Sequence, residues 1–416
     1  MKNLADVDVT SLAFIQDPYA DYEVMRREAP VYRDPKTGLF FVTTYELMRQ
    51  VLGNPAVFSS VPDGSVWGIY STHPDVVALY ERAGAHRPLN TLVTSDPPHH
   101  IRYRALADKA LNAYSVKLMQ ESIVRMADRF IDAFIDRGSC DFQQEFALRL
   151  PVAVIAEILG FGAEDEAAIQ RASDATVTIA DARMITHEQL LEGHGVQVET
   201  QRHFQKHIDA VRREPNQSLL SHMVHASLEN GDQLSDRELH SVMQALFVGG
   251  NDTTPAGIGN AMLLLCRNPE FQDRLRGDSD AIGRFVEEAL RLESPVQGLY
   301  RFAKVDTELA GVHIPAGSAL SVRYAAANRD EKVYPNAGQI QLDRKGIRNH
   351  MAFGAGIHYC AGANLARSEL RISVERLLAR MRDICLADPQ APIHYVEKLA
   401  VRGFLNLPIE FRRAGA

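Results

Sequence analysis

Apolar residues recur at helical spacing along most of the chain. The three-to-four-residue period runs through His99 to Asn112, Ser115 to Arg137, Pro151 to Leu159, Glu164 to Ala182, His187 to Arg213 and Leu219 to Glu229. It continues through Asp236 to Arg267, Pro269 to Gly277 and Ser279 to Leu292. Short helices are also predicted at Asp21 to Glu28 and Tyr45 to Leu52. Between those two, PVYRD and LFFVTT flank a PKTG turn and read as a hairpin. ELAGVHIPAGSALSVRY reads as short paired strands with a Pro-Ala-Gly turn. From Val61 to Asn90 the period fades into Gly, Pro, Ser and His, which predicts a long irregular loop carrying one short helix at VVALYERA.

No linker, charge block or repeat interrupts this pattern, so the 416 residues are read as one domain, mainly helical with small sheets. The net charge of -8 argues against wholesale nucleic-acid binding. The N-terminal stretch carries acids where a leader or membrane anchor needs a basic start and an apolar run, so a soluble cytoplasmic protein is expected. Four cysteines without paired spacing argue against a disulfide framework or a zinc ribbon and for a reducing compartment.

One of them stands in unusual company. HMAFGAGIHYCAGANLARSEL, residues 350 to 370, runs from a glycine-rich loop into an amphipathic helix and places Cys360 near that helix's N-terminus. The helix dipole and free backbone N–H groups there favour a thiolate. Bare backbone at Gly354, Gly356 and Gly362 would let the loop lie against a flat macrocycle, and an axial thiolate pushes electron density onto haem iron.

Phe353, Gly354, Gly356, His358, Cys360 and Gly362 match every fixed position of F-G-x-G-x-H-x-C-x-G, and on these residues the chain resembles the cytochrome P450 family. The resemblance implies a triangular, prism-like haem-thiolate fold and a b-type haem ligated by Cys360. Phe353, Gly354, His358 and Gly362 would contact that haem.

A second motif, LFVGGNDTTPAG, lies in a long apolar helix whose glycines and Pro255 predict local distortion. Pro255 cannot donate to the Asn251 carbonyl, which leaves that group for water or a ligand. Gly249 to Thr253 matches the family's oxygen-activation pattern, with Thr253 supporting bound oxygen and Asp252 relaying protons. Glu288 and Arg291 form E-x-x-R, spaced to meet on one helical face. The family adds a downstream arginine, here Arg344, and gives all three a structural role. His100 and Arg104 in SDPPHHIRYRAL, Arg301 and His358 align with the family's contacts to the haem propionates, which need charge-assisted donors.

By the same resemblance the substrate pocket would take Trp67, Ile69, Leu92 and Val93 from the long loop. Ala245, Val248 and Gly249 would come from the oxygen helix, Val296 and Leu299 from the segment after E-x-x-R, and Phe404 from the C-terminal region. Their apolar character favours a terpenoid, aromatic, fatty or steroidal substrate. The implied reaction is insertion of one atom of O2 by hydroxylation, or the related epoxidation or demethylation. Electrons would come from a separate ferredoxin and its NAD(P)H-dependent reductase. Arg102, Lys109, Arg348 and Arg367 supply a local basic cluster for docking that acidic partner. A peroxide-using peroxygenase and a non-catalytic haem sensor are the alternatives, and the Asp252–Thr253 pair counts against the first. His203 and His207 have metal-ligand spacing, but with no accompanying carboxylate or cysteine motif they read as a solvated helix face.

Overall fold

A computed structural model describes residues 2–62, 68–113, 116–180 and 185–415. The chain sorts into two compact units built from interleaved segments: residues 1–58, 120–150 and 252–416 in the first, and 59–119 and 151–251 in the second.

The first unit holds the sheets. Their strands in chain order are β1 (Val31–Arg33), β2 (Phe40–Val42), β3 (Phe58–Ser59), β4 (Ser139–Asp141), β5 (Leu299–Ala303), β6 (Thr307–Leu309), β7 (Val312–Ile314), β8 (Ala319–Val322), β9 (Met381–Leu386) and β10 (Pro408–Arg413). The main sheet has the order β1-β2-β8-β5-β3, the second β4-β10-β9, and β6 pairs with β7 alone. The hairpin around PKTG forms as the pattern predicts, Val31 opposite Val42. The Pro-Ala-Gly turn differs from its prediction. It joins β7 to β8, yet these do not pair: β7 turns back on β6, while β8 lies parallel to β2 and antiparallel to β5. Leu320 and Val322 on β8 are wholly buried with Phe40, Val42, Met48 and Val51, and that burial outweighs a local hairpin.

Three helices of this unit carry the candidate chemistry: Thr253–Arg267, Ser279–Leu292 and Ala363–Arg380, each packed on the other two. Asp278 caps the second through the Ala281 N–H, and Ala281, Ile282, Phe285, Val286, Ala289 and Leu290 fall at core spacing and are buried. Fully burying a side chain such as Phe285 contributes roughly 1.5–3 kcal/mol, and Glu287 and Glu288, which lie off that apolar stripe, are buried as well.

The second unit centres on the helix His187–Arg213, against which Glu166–Thr178, Leu219–His225 and Pro74–Ala83 pack. The helix Asp236–Asn251 packs on Glu166–Thr178. Pro74–Ala83 is the short helix predicted within the long loop. Among the described residues no helix is long and apolar enough to cross a membrane.

Candidate functional site

The predicted continuous helix through the second motif is interrupted. Helical geometry covers Asp236–Asn251 and resumes at Thr253–Arg267, with Asp252 outside both. Pro255 thereby falls in the first turn of the later helix, where a missing N–H costs no hydrogen bond. Gly249 lies in the last turn of the earlier helix, and a Cβ placed there would meet nothing within 4 Å. Asp252 is mostly buried and its carboxylate lies 3.6 Å from the Lys398 ammonium. Asn251 is wholly buried, and neither atom of its side-chain amide has a partner among the described residues. Motif matching passed over Lys398 and the Asn251 side chain.

The Cys360 loop precedes the helix Ala363–Arg380, whose N-cap is Gly362. The Cys360 N–H bonds to the Phe353 carbonyl at 3.0 Å, which ties the two ends of the loop together. Gly356 sits at φ +70, and a Cβ there would come within 2.6 Å of the Leu52 carbonyl oxygen, so no other residue fits without displacement. Cys360 is half-buried, whereas burial pushes the Cys140 and Cys266 thiols up to about 12 and keeps them protonated at neutral pH.

Within the same unit, Tyr324 reports what lies near the sulfur. Burial raises its phenol pKa, the Arg301 cation draws it down and Cys360 pushes it up, so all three sit within electrostatic reach. Arg301 is itself buried, 4% exposed. Its Nη1 donates to the Tyr300 carbonyl, and it has no carboxylate partner among the described residues. A buried guanidinium in that state calls for an anion, and a half-buried thiol before a helix start is able to ligate a metal as its thiolate, so this donor set fits a haem bearing carboxylates.

The E-x-x-R residues come together. Glu288 and Arg291 are both 0% exposed and join through two bonds of 2.8 and 3.0 Å, and the Arg344 Nε donates to Glu288 at 3.0 Å. Arg291 also donates to the Asn328, Ala337 and Gln339 carbonyls, so its charge is sealed with its donors satisfied.

One residue away, Glu287 builds a second cluster that the motif does not contain. Its carboxylate takes His350 at 2.8 Å and Arg367 at 2.7 Å, with Arg348 at 3.7 Å. Burial raises the Glu287 pKa, but the bonds from His350 and Arg367 prevail and hold it at about 2. Arg367 lies 4.4 Å over the Phe353 ring and donates to the Tyr359 hydroxyl, so the cluster braces the Cys360 loop.

The four basic residues named for docking each have a partner within the chain. Arg367 is tied to Glu287, and Arg102 to Asp232 and Glu238. Lys109 is exposed but donates to the Ser227 carbonyl, and Arg348 keeps a side chain 80% exposed. Local spacing could not reveal acids lying about 130 residues away, as for Arg102.

In the second unit His100 is buried, and burial followed by the neighbouring Arg104 cation lowers its pKa. Arg104 pairs with Asp108 one turn on. Of the pocket candidates there, Ile69 is buried, Leu92, Ala245 and Val248 are half-buried, and Val93 is exposed. Trp67 lies outside the described residues. In the first unit Val296 bridges to Val401, Leu299 opens β5, and Phe404 is buried so close to the helix Thr253–Arg267 that a Cβ on Gly259 would meet its ring at 2.7 Å.

Comparison with known proteins agrees across the chain. The family model described as Cytochrome P450 matches residues 69–395. The chain is 32% identical over 414 residues to the cytochrome P450 monooxygenase PikC of Streptomyces venezuelae, covering 98% of this chain and 94% of that one. It is 31% identical over 411 residues to a steroid C26-monooxygenase of Mycolicibacterium smegmatis, covering 98% and 96%. The solved structure of CYP109E1 from Bacillus megaterium in complex with testosterone superposes with a TM-score of 0.80 at 29% identity, covering 95% of this chain and 99% of that one. With a family match over most of its length and relatives of this identity and coverage, the chain belongs to the cytochrome P450 family, whose members are haem-iron oxidoreductases of the monooxygenase class.

Proposed function

We propose that the protein binds a b-type haem through the Cys360 thiolate and inserts one oxygen atom from O2 into an apolar small molecule, drawing electrons from a separate ferredoxin and its NAD(P)H-dependent reductase. The observation that carries the haem reading is Arg301, a buried guanidinium without a carboxylate partner among the described residues, in the electrostatic neighbourhood of Tyr324 and Cys360. His100, Arg104 and His358 are the other proposed propionate contacts. Haem, when bound, supplies the iron at which dioxygen is reduced. Cys360 would ligate that iron, and the brace of Glu287, His350 and Arg367 keeps its loop in place. The Thr253 hydroxyl would hydrogen-bond dioxygen held there, and Asp252, beside Lys398, would relay protons to it.

The apolar character of Val296, Leu299 and Phe404 supports an apolar substrate. Relatives named for steroid oxidation and solved with testosterone favour a steroid-sized one. Two tests apply. Steroids, terpenoids and fatty acids, with sugars and amino acids as polar controls, are screened for the low-spin to high-spin Soret shift of the ferric protein; a response confined to the polar controls would overturn the substrate class. Thr253→Ala is then assayed with ferredoxin, reductase and a responding ligand. NAD(P)H consumption continues while product falls and hydrogen peroxide rises, whereas unchanged coupling would move the acid function away from this pair.

A further inference from the structure

The helix His187–Arg213 presents His203 and His207 four residues apart on one face, and the structure adds the carboxylate that the local sequence lacks. Asp165 ends the short helical turn Ala163–Asp165 and is 3% exposed at its side chain. Its Oδ1 lies 2.6 Å from the His203 Nε2 and 3.4 Å from the His207 Nε2. Its Oδ2 accepts the Gly162 N–H at 3.0 Å, which fixes the carboxylate plane and turns Oδ1 toward the two rings. Aromatic packing sets the imidazoles: Phe161 lies 4.5 Å from the His207 ring and Phe204 5.1 Å from that of His203, while Phe161 and Phe204 stack on each other at 4.9 Å.

We propose that Asp165, His203 and His207 form a site for a divalent cation of the zinc class, with solvent water completing the coordination. Two imidazoles and one carboxylate suit zinc and its late first-row neighbours and do not suit magnesium or calcium, which need more oxygen ligands. Zinc holds such ligands at about 2.0–2.2 Å, which in a tetrahedron sets ligand atoms roughly 3.3–3.6 Å apart. His207 already stands at that separation from Oδ1, and His203 needs to retreat by less than about 1 Å, a movement open to a side chain 39% exposed. The His203 exposure also leaves room for the water. Bound there, the ion would tie the start of the helix Glu166–Thr178 to the middle of His187–Arg213, adding to the packing, the Gln197 hydrogen bonds and the Asp165–His203 pair already between them. Nothing in this inference depends on the haem chemistry.

Haem-loaded protein without a polyhistidine tag is stripped with chelator, dialysed against zinc and assayed for zinc and iron. Wild type takes up about one zinc per haem iron, and its unfolding midpoint rises with the logarithm of zinc concentration and is unmoved by magnesium. His203→Gln, His207→Gln and Asp165→Asn weaken zinc by more than the roughly 10–100-fold that loss of an outer-shell partner produces. Asn at 165 still offers an oxygen to the Gly162 N–H, and haem content with midpoints in chelator separates lost binding from lost folding. His187→Gln alters the other candidate grouping among the described residues, His73, Asp75 and His187, all exposed, and leaves the stoichiometry unchanged. Wild type that takes up no zinc, full uptake by the His203 and His207 variants, or loss of uptake in His187→Gln would each overturn the proposal.

Discussion

Glu287 and Glu288 are neighbours on one helix, yet they serve different ends. Glu288 turns into a dry cluster in which it and Arg291 are sealed and Arg344 is 5% exposed. Glu287 turns toward the Cys360 loop, and its partners grade from the buried His350 through the partly exposed Arg367 to Arg348 at the surface. A charge cluster without water must be complete, because removing one member strands the others. A cluster open on one side can lose a member and let solvent replace it. The difference separates a lock on the fold from a brace on the thiolate loop.

The largest effect is expected at Arg291. Arg291→Ala leaves the Glu288 carboxylate buried with only Arg344 and the Gln341 N–H, and costs about 3–5 kcal/mol. Soluble protein and haem content fall together. Haem-loaded protein with an unchanged denaturation midpoint would show that the sealed cluster is dispensable.

Glu287→Gln is expected to cost less, about 1–3 kcal/mol, since His350 and Arg367 keep a neutral acceptor. Its mark is spectroscopic: under mild denaturant or heat the carbon monoxide complex loses the thiolate-type Soret band before global unfolding, while wild type loses both together. The pH dependence sharpens this. With a folded pKa of about 2 against 4.5 for the free group, Glu287 contributes stability that is complete above about pH 4.5 and lost as pH falls toward about 2. Acid titration of Glu287→Gln should therefore show a shallower decline in that window. Equal slopes would mean that the carboxylate does not carry the brace.

The smallest effect on stability belongs to Arg348, at the open end. Arg348→Glu stays within about 1 kcal/mol of wild type. If this cation helps to dock ferredoxin, the first reduction slows at low salt and converges with wild type as salt rises. Identical rates at low ionic strength would remove it from the docking face.

The sequence made one of these two clusters legible and not the other. The Ser279–Leu292 helix has caps and a core period that stand in the local pattern, and E-x-x-R pairs two residues one turn apart. Arg344 entered through family resemblance. Glu287 shows no such sign, because His350 and Arg367 arrive from 63 and 80 residues away. Asp165 met His203 and His207 in the same way, across 38 residues in the case of His203. The misplaced pairing of β7 and β8 follows from the same limit: adjacent strands and a good turn suggest a hairpin, and only burial of β8 between β2 and β5 decides against it. Helical periodicity read through Asp252 without a break, since the apolar stripe continues on both sides of it.

The central claim is that Cys360 supplies the axial thiolate, and the reduced carbon monoxide complex tests it most directly. The wild-type protein is predicted to show the strongly red-shifted Soret band of thiolate ligation, and Cys360→Ser to lose it, while Cys140→Ser and Cys266→Ser, whose buried thiols stay protonated at neutral pH, retain it. Retention of the shifted band in Cys360→Ser would contradict the account.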